Sequence, residues 1–194
     1  MTVTNAPRFS VLTTVYDPDV EHLRACLDSV DRQTCGDWEH VVVDDASTMP
    51  AVGDELDGAG SARRRIQRRE LNGGIVAASA DALAAARGEF VVLLDHDDVL
   101  EPTALERLAE AIDEADDPST VDLLYSDHDL LRPDGRTASP VYKPDWSPER
   151  LRNHNYITHL VTARRSLVEG VGGFRVGYDG AQDHDLVLRL GERA

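Results

Sequence analysis

Phe90-Val91-Val92-Leu93-Leu94-Asp95-His96-Asp97-Asp98 is a run of five apolar residues that turns acidic without a spacer. Such a run fits a strand buried on both faces, the kind a parallel sheet uses, and it leaves the carboxylates at the strand's C-terminal end. The pattern recurs along the chain. Upstream, His40-Val41-Val42-Val43 runs into Asp44-Asp45, and residues 9–14 are apolar and β-branched. Residues 63–69, around Ile66, read as a more exposed strand, and residues 121–125 as a further one ending at Asp127. Between them lie helical signals. Val20, Leu23, Leu27 and Val30 recur at helical spacing after the Asp17-Pro18-Asp19 turn. Asn72-Gly73-Gly74 opens a small-residue helix over 75–86 that Arg87-Gly88 stops. Pro102 stands where a helix buried through Leu105, Leu108, Ala109 and Ile112 can begin. Strands alternating with helices predict an α/β sandwich with a largely parallel sheet. Ligands bind such sheets beyond the carboxyl ends of the strands, so three acidic clusters at three strand ends converge on one candidate site.

The chain has 194 residues, enough for one domain with a sizeable core, and its 41% hydrophobic and 29% charged residues are those of a globular protein. Its two cysteines, Cys26 and Cys35, lack metal-ligand partners at useful spacing. That disfavours a disulfide scaffold or zinc finger and fits a reducing cytoplasm. No apolar run approaches the roughly 20 residues of a membrane span, and residues 1–7 lack the features of a signal peptide, so the expected location is cytoplasmic. The net charge of −16 repels nucleic acid, which is not an expected partner, and it repels a free nucleotide as well. A phosphate site must therefore be made favourable locally, by a cation, backbone N–H groups or arginine. Lys143 is the only lysine. The cluster Arg63-Arg64-Arg65 with Arg68-Arg69 has two readings: a contact for an anionic lipid-linked acceptor at the inner face of the membrane, or a solvated edge strand. From about residue 132 the texture changes. Pro133-Asp134-Gly135 reads as a hairpin-like turn, and Pro140, Pro144 and Pro148 break any long element. This part is expected to wrap around the cleft rather than extend the strand–helix pattern, before a last helix over 182–193.

Two carboxylates flanking one residue, Asp95 and Asp97, can share a hard divalent cation, Mg²⁺ or Mn²⁺, that also holds a diphosphate. The bland alternative is an acidic turn capping the next helix. Asp-His-Asp occurs three times, at 95–97, 127–129 and 183–185. A zinc site built from His96, His128 and His184 is disfavoured, because in extended segments the middle residue points away from its neighbours. On the last helix Asp183 shares a face with Leu186, Val187 and Leu190, whereas Asp185 stands four residues before Arg189, the spacing of a solvated ion pair.

Five pieces occur in order: Val11-Leu12-Thr13-Thr14-Val15-Tyr16-Asp17, Val43-Asp44-Asp45-Ala46-Ser47, Asn72-Gly73-Gly74, Leu94-Asp95-His96-Asp97-Asp98 and Gly180-Ala181-Gln182-Asp183-His184-Asp185-Leu186. Together they resemble the family 2 glycosyltransferases, over essentially all of residues 8–194. Lys143-Pro144-Asp145-Trp146-Ser147-Pro148 through Asn155-Tyr156-Ile157, with Gly172-Gly173-Phe174, resembles the bacterial branch that builds surface polysaccharides. The resemblance implies a GT-A fold, a Rossmann-like α/β/α sandwich with a mixed, mostly parallel central sheet. Residues 8–98 would form the nucleotide-sugar-binding half, and 99–194 the acceptor and catalytic half, of one domain. It implies inverting transfer of a sugar from a UDP- or dTDP-sugar to a hydroxyl of a saccharide or lipid-linked acceptor, assisted by Mn²⁺ or Mg²⁺.

The same resemblance implies roles for single residues. Thr14 and Tyr16 would line the nucleobase pocket, Tyr16 stacking on the base, and Asp45 would accept a hydrogen bond from a pyrimidine N3–H. Gly74 would permit close backbone approach. Asp95 would contact the ribose or the metal, Asp97 would ligate the metal at the diphosphate, and Asp183 would be the general base. The family's usual acid–acid pair is Gln182-Asp183 here. Related enzymes also continue past this helix, often with a histidine that reaches the metal or diphosphate. The expectation for a chain ending at Ala194 is therefore donor binding with little transfer. Three rivals stand beside this reading. Asp95-x-Asp97-x-Val99-Leu100 matches the nucleophile loop of haloacid-dehalogenase-type phosphatases, but there the motif opens the first strand. A nucleotidyltransferase would carry a glycine- and lysine-rich phosphate loop near the first strand. A catalytically silent nucleotide-binding module would lack a base.

Overall fold

A computed structural model of the protein describes residues 6–132 and 135–193. The apolar runs form the inner strands. β1 (Phe9–Val15) lies between β2 (Trp38–Asp44) and β4 (Phe90–Leu93) and pairs with both in parallel. β3 (Arg64–Arg68) joins β2 in parallel at the edge. Side chains alternate across the pleat. Val11 packs with Cys26 and Val30 of α1 (Val20–Asp31) and with Leu105 and Leu108 of α4 (Ala104–Asp113). Leu12 packs on the opposite face with Ala78 and Ala82 of α3 (Ile75–Ala85) and with Leu186 and Leu190 of α7 (Gln182–Gly191). Helices thus cover both faces, which is why these strands read as continuous apolar runs. Asp19 caps α1, its Oδ1 accepting from the Glu21 N–H at 2.8 Å. α2 (Pro50–Gly58), unread in the sequence, starts with proline at its first position and closes a smaller cluster through Val52 and Leu56.

The second half corrects the sequence reading in one respect. β8 (Val161–Arg164) enters the main sheet between β4 and β5 (Leu123–Tyr125), giving the order β3-β2-β1-β4-β8-β5. It pairs antiparallel on both sides, Val92 opposite Thr162 and Leu123 opposite Ala163. The direction follows from the route. β5 runs the same way as β4 and ends at the same edge. The chain then makes a separate hairpin, β6 (His128–Leu131) with β7 (Thr137–Val141), and α5 (Pro148–Asn153), and re-enters from that edge. Pro133 and Asp134 of the expected turn lie outside the described residues. α6 (Arg165–Gly170) follows β8 directly. The architecture is the expected α/β/α sandwich with a mixed, mostly parallel sheet. Among the described residues no helix is long and apolar enough to cross a membrane.

The arginine strand is an edge strand in which Arg64 turns inward while Arg63 and Arg68 stay exposed. Arg64 is only 4% exposed. Arg63 stacks on Trp38 at 4.1 Å, Arg65 pairs with Glu39 at 3.0 Å, Arg68 with Asp57 at 2.9 Å, and Arg69 with Asp45 at 2.8 Å. Each of the five has an interaction within the chain.

Candidate active site

The loops after β1, β2 and β4 carry most of the residues singled out in the sequence. Asp17 takes a left-handed backbone, φ 43°, and its Oδ1 accepts from the amides of Thr48 at 2.7 Å and Met49 at 2.9 Å. These bonds tie the loop after β1 to the loop after β2 and hold the Asp17 carboxyl below its usual range, Met49 contributing most. Tyr16, next to this knot, is 49% exposed. Asp45 is 3% exposed. Its Oδ1 accepts from the Gly73 amide at 2.9 Å and its Oδ2 from the Gly74 amide at 2.8 Å, so it pins the turn into α3.

Gly74 has φ +82°, and a Cβ there would meet the Asp179 Oδ1 at 2.8 Å. Backbone in this region is nearly glycine-only. Gly74→Ala is therefore expected to lower stability by about 1–3 kcal/mol in urea denaturation. An unchanged midpoint would show that the turn relaxes freely.

Past β4 the chain turns at once, the Asp98 amide donating to the Asp95 carbonyl at 3.2 Å. This turn brings residue i+3, not i+2, round to Asp95. The structure groups Asp95, Asp98 and His159, one donor atom from each lying within 4.8 Å of the others. His159 Nδ1 stands 3.1 Å from Asp98 Oδ2 and 3.7 Å from Asp95 Oδ2. Asp97, favoured by strand-like alternation in the sequence, is exposed and stands outside the group. Burial pushes the Asp95 carboxyl up; His159 opposes this, while Asp98 and Asp97 add to it.

The remaining histidines and acids serve elsewhere. His96 points back to β1, its Nδ1 3.1 Å from the Thr14 carbonyl. His128 meets the His159 ring edge-on at 5.8 Å, and His184 Nε2 lies 2.6 Å from the Leu151 carbonyl. The three histidines of the Asp-His-Asp repeats thus have separate partners. Asp127 accepts the Lys143 amide at 2.8 Å. The Lys143 ammonium in turn grips the carbonyls of Ile157 and His159, on either side of Thr158. Burial pushes that amine down to about 8 although Asp127 raises it.

On α7 the N-cap is Ala181, which places Asp183 inside the first turn. Asn155 Nδ2 donates to Asp183 Oδ2 at 2.8 Å. Asp185 does pair with Arg189, at 2.7 Å, but the pair is not solvated as its spacing suggested. Asp185 is 7% exposed and is also gripped by Arg175. Burial alone would raise its carboxyl, yet the two guanidiniums outweigh it and hold the group below its ordinary value of 3.8. A depressed folded value means that the stabilisation is present at neutral pH and is lost as pH falls through it. Asp185→Asn is expected to cost about 3 kcal/mol at pH 7, as for a broken buried pair, with the gap to wild type narrowing as pH falls below the ordinary carboxylate value of 3.8. Equal urea midpoints at pH 7 would refute the structural role.

Thr14, Asp95, His159, Phe174, Gln182 and Asp183 line one cavity of about 260 Å³. The two carboxylates given separate roles in the sequence therefore share one space. In the sequence Asp98 is only the last member of an acidic run. Asn155, His159 and Lys143 lay in a proline-broken segment whose contacts no periodicity reveals.

The family model described as Glycosyl transferase family 2 matches residues 10–172. The O-antigen biosynthesis protein RfbC of Myxococcus xanthus is 42% identical over 96% of this chain, which spans 14% of that protein. The S. aureus TarS 1–349 structure with UDP-GlcNAc superposes with a TM-score of 0.74 at 24% identity, over 94% of this chain and 53% of that one. The mannosyltransferase PcManGT of Pyrobaculum calidifontis, solved with GDP-Man and Mn²⁺, gives a TM-score of 0.65 at 25% identity over 96% and 52%. The acidic motif follows the fourth strand rather than opening the first, unlike the phosphatase pattern, and the match runs through β1 to α6. The chain belongs to glycosyl transferase family 2.

Proposed function

We propose that the protein transfers a sugar from a nucleoside-diphosphate-sugar to a hydroxyl of a saccharide or lipid-linked acceptor, with inversion at the anomeric carbon. One observation carries this reading: a single cavity offers an acid–imidazole cluster at the end of β4 and a separate carboxylate, Asp183, on α7. RfbC, an O-antigen biosynthesis protein, supports a surface-polysaccharide product, and the nucleotide sugars held by PcManGT and TarS support the donor class.

The donor set tests the cation. Two carboxylates and one imidazole within 4.8 Å suit a divalent ion, and the imidazole favours Mn²⁺ over Mg²⁺. Asp95, Asp98 and His159 would hold it, Asp98 taking the place that the sequence pattern gave to Asp97. When bound, the ion neutralises charge developing on the departing diphosphate. Thr14 and Tyr16 would bound the base side of the site, and Asp45 sets the Gly73-Gly74 turn beside it, its Oδ2 engaged by the Gly74 amide. Asn155 holds one oxygen of Asp183 and so orients the other towards the acceptor hydroxyl, whose proton Asp183 takes. Leu12, Leu93 and Phe174 supply the apolar wall that limits water.

The test is incubation with UDP- and dTDP-sugars, Mn²⁺ and saccharide acceptors, with the product anomer read by NMR. An inverted linkage is expected. A retained configuration, or transfer at full rate in chelator, would sink the reading.

A further inference from the structure

Every basic side chain of this protein other than histidine is an arginine, except Lys143. The Lys143 ammonium donates to two main-chain carbonyls, those of Ile157 and His159. The residue between them, Thr158, has a left-handed backbone, φ 44°, which a β-branched residue strongly disfavours. Its own side chain does not hold it there, because the Thr158 hydroxyl is buried and has no hydrogen-bond partner. Its amide reaches Asn155 Oδ1 only at 3.5 Å. The bend aims two carbonyls at one point, where their negative ends repel each other. A positive charge placed between them turns that repulsion into attraction. A compact ammonium with three freely turning donors suits the gap, whereas a guanidinium is a broad planar fork.

The lysine is itself fixed from behind. Its amide donates to Asp127 Oδ1 at 2.8 Å, and the Tyr125 hydroxyl donates to the neighbouring Pro144 carbonyl at 2.7 Å. Tyr125 is the last residue of β5, so the ammonium is anchored to the main sheet. In front of it, Thr158 and His159 both line the cavity. The carbonyl that Lys143 binds and the imidazole that stands 3.1 Å from Asp98 belong to the same residue, His159.

We propose that Lys143 is a positioning residue: its ammonium, anchored to the end of β5, holds the bend at Thr158 and so sets the His159 imidazole against Asp95 and Asp98. The proposal rests on the reading of those three side chains as the cation site. Asp127, the first acid of the second Asp-His-Asp run, then serves by holding the lysine rather than the cation.

The experiment uses protein labelled with nitrogen-15 in lysine and histidine. With one lysine in the chain, a single side-chain lysine resonance needs no assignment. In wild type that ammonium should exchange its protons slowly, as a group bonded to carbonyls does. Lys143→Met keeps the length of the stem and removes the charge. It should shift the His159 ring resonances and weaken Mn²⁺-dependent UDP binding, measured by calorimetry, by about 10-fold, as when the support of a metal ligand is removed. The same substitution is then made in His159→Gln, where Asp95 and Asp98 should retain weaker binding. There it should cost nothing further, because its effect runs through the imidazole. A second, independent loss in that background would overturn the proposal. So would unmoved His159 resonances in Lys143→Met, or a wild-type ammonium that exchanges as fast as free lysine, a measurement that needs no variant to fold. UDP binding to wild type that ignores chelator would defeat the cation reading instead, and the ring resonances would still decide whether Lys143 sets His159.

Discussion

Asp183→Asn is expected to cut sugar transfer by roughly 10²–10⁴-fold, the usual worth of a positioned general base. Donor affinity and thermal stability should barely move. The substitution keeps size and leaves a partner for Asn155, but it removes the only function the geometry gives Asp183, which is to accept a proton in the cavity it shares with Asp95. Asp185→Asn should show the opposite profile, a loss of stability with near-normal turnover per folded molecule, because both its oxygens face arginines. Should Asp185→Asn do the greater damage per folded molecule, the assignment of the base would be wrong.

Asp98→Ala and Asp95→Ala are each expected to weaken Mn²⁺-dependent binding of a nucleoside diphosphate by about 10–100-fold, the range seen when a metal site is disturbed. In a chain of net charge −16 an unassisted diphosphate is repelled, so little affinity should remain in chelator. The discriminating variant is Asp97→Ala. Strand-like alternation assigns the larger loss to Asp97, whereas the turn at Asp95 assigns it to Asp98. Calorimetry of the three variants with and without Mn²⁺ separates the two. A larger effect at Asp97 would mean that the acidic turn rearranges on binding.

The contrast between Asp97 and Asp98 marks where sequence reading stops. Apolar runs such as residues 90–94 identify a strand because helices cover both of its faces, and that burial is written in composition. Which carboxylate faces the cavity depends on where the strand ends, and one hydrogen bond between Asp98 and Asp95 settles that locally. β8 was missed for a related reason. Four residues, Val161-Thr162-Ala163-Arg164, have too little length to show a period, and their place between β4 and β5 is fixed by pairing with distant partners. His159 and Asn155 flank that strand's entry and were lost with it. Arg64 shows the same limit on the polar side. It sits in a run of arginines that reads as solvated, and only the neighbouring His40 and the carbonyls beneath it explain its burial.

The insertion of β8 also bears on how the chain comes off the ribosome. Strands β1 to β4 are complete once residue 93 has emerged, yet β4 still has one open edge, because the strand that covers it begins at Val161. The Arg164–Glu89 ion pair at the base of that seam joins residues 75 apart in sequence. Until translation reaches it, β4 (Phe90–Leu93) would present an unpaired apolar edge, the kind of surface that recruits other chains. A piece cut at residue 98 would therefore keep that edge open. The missing edge is supplied by β8, which pairs with all four residues of β4.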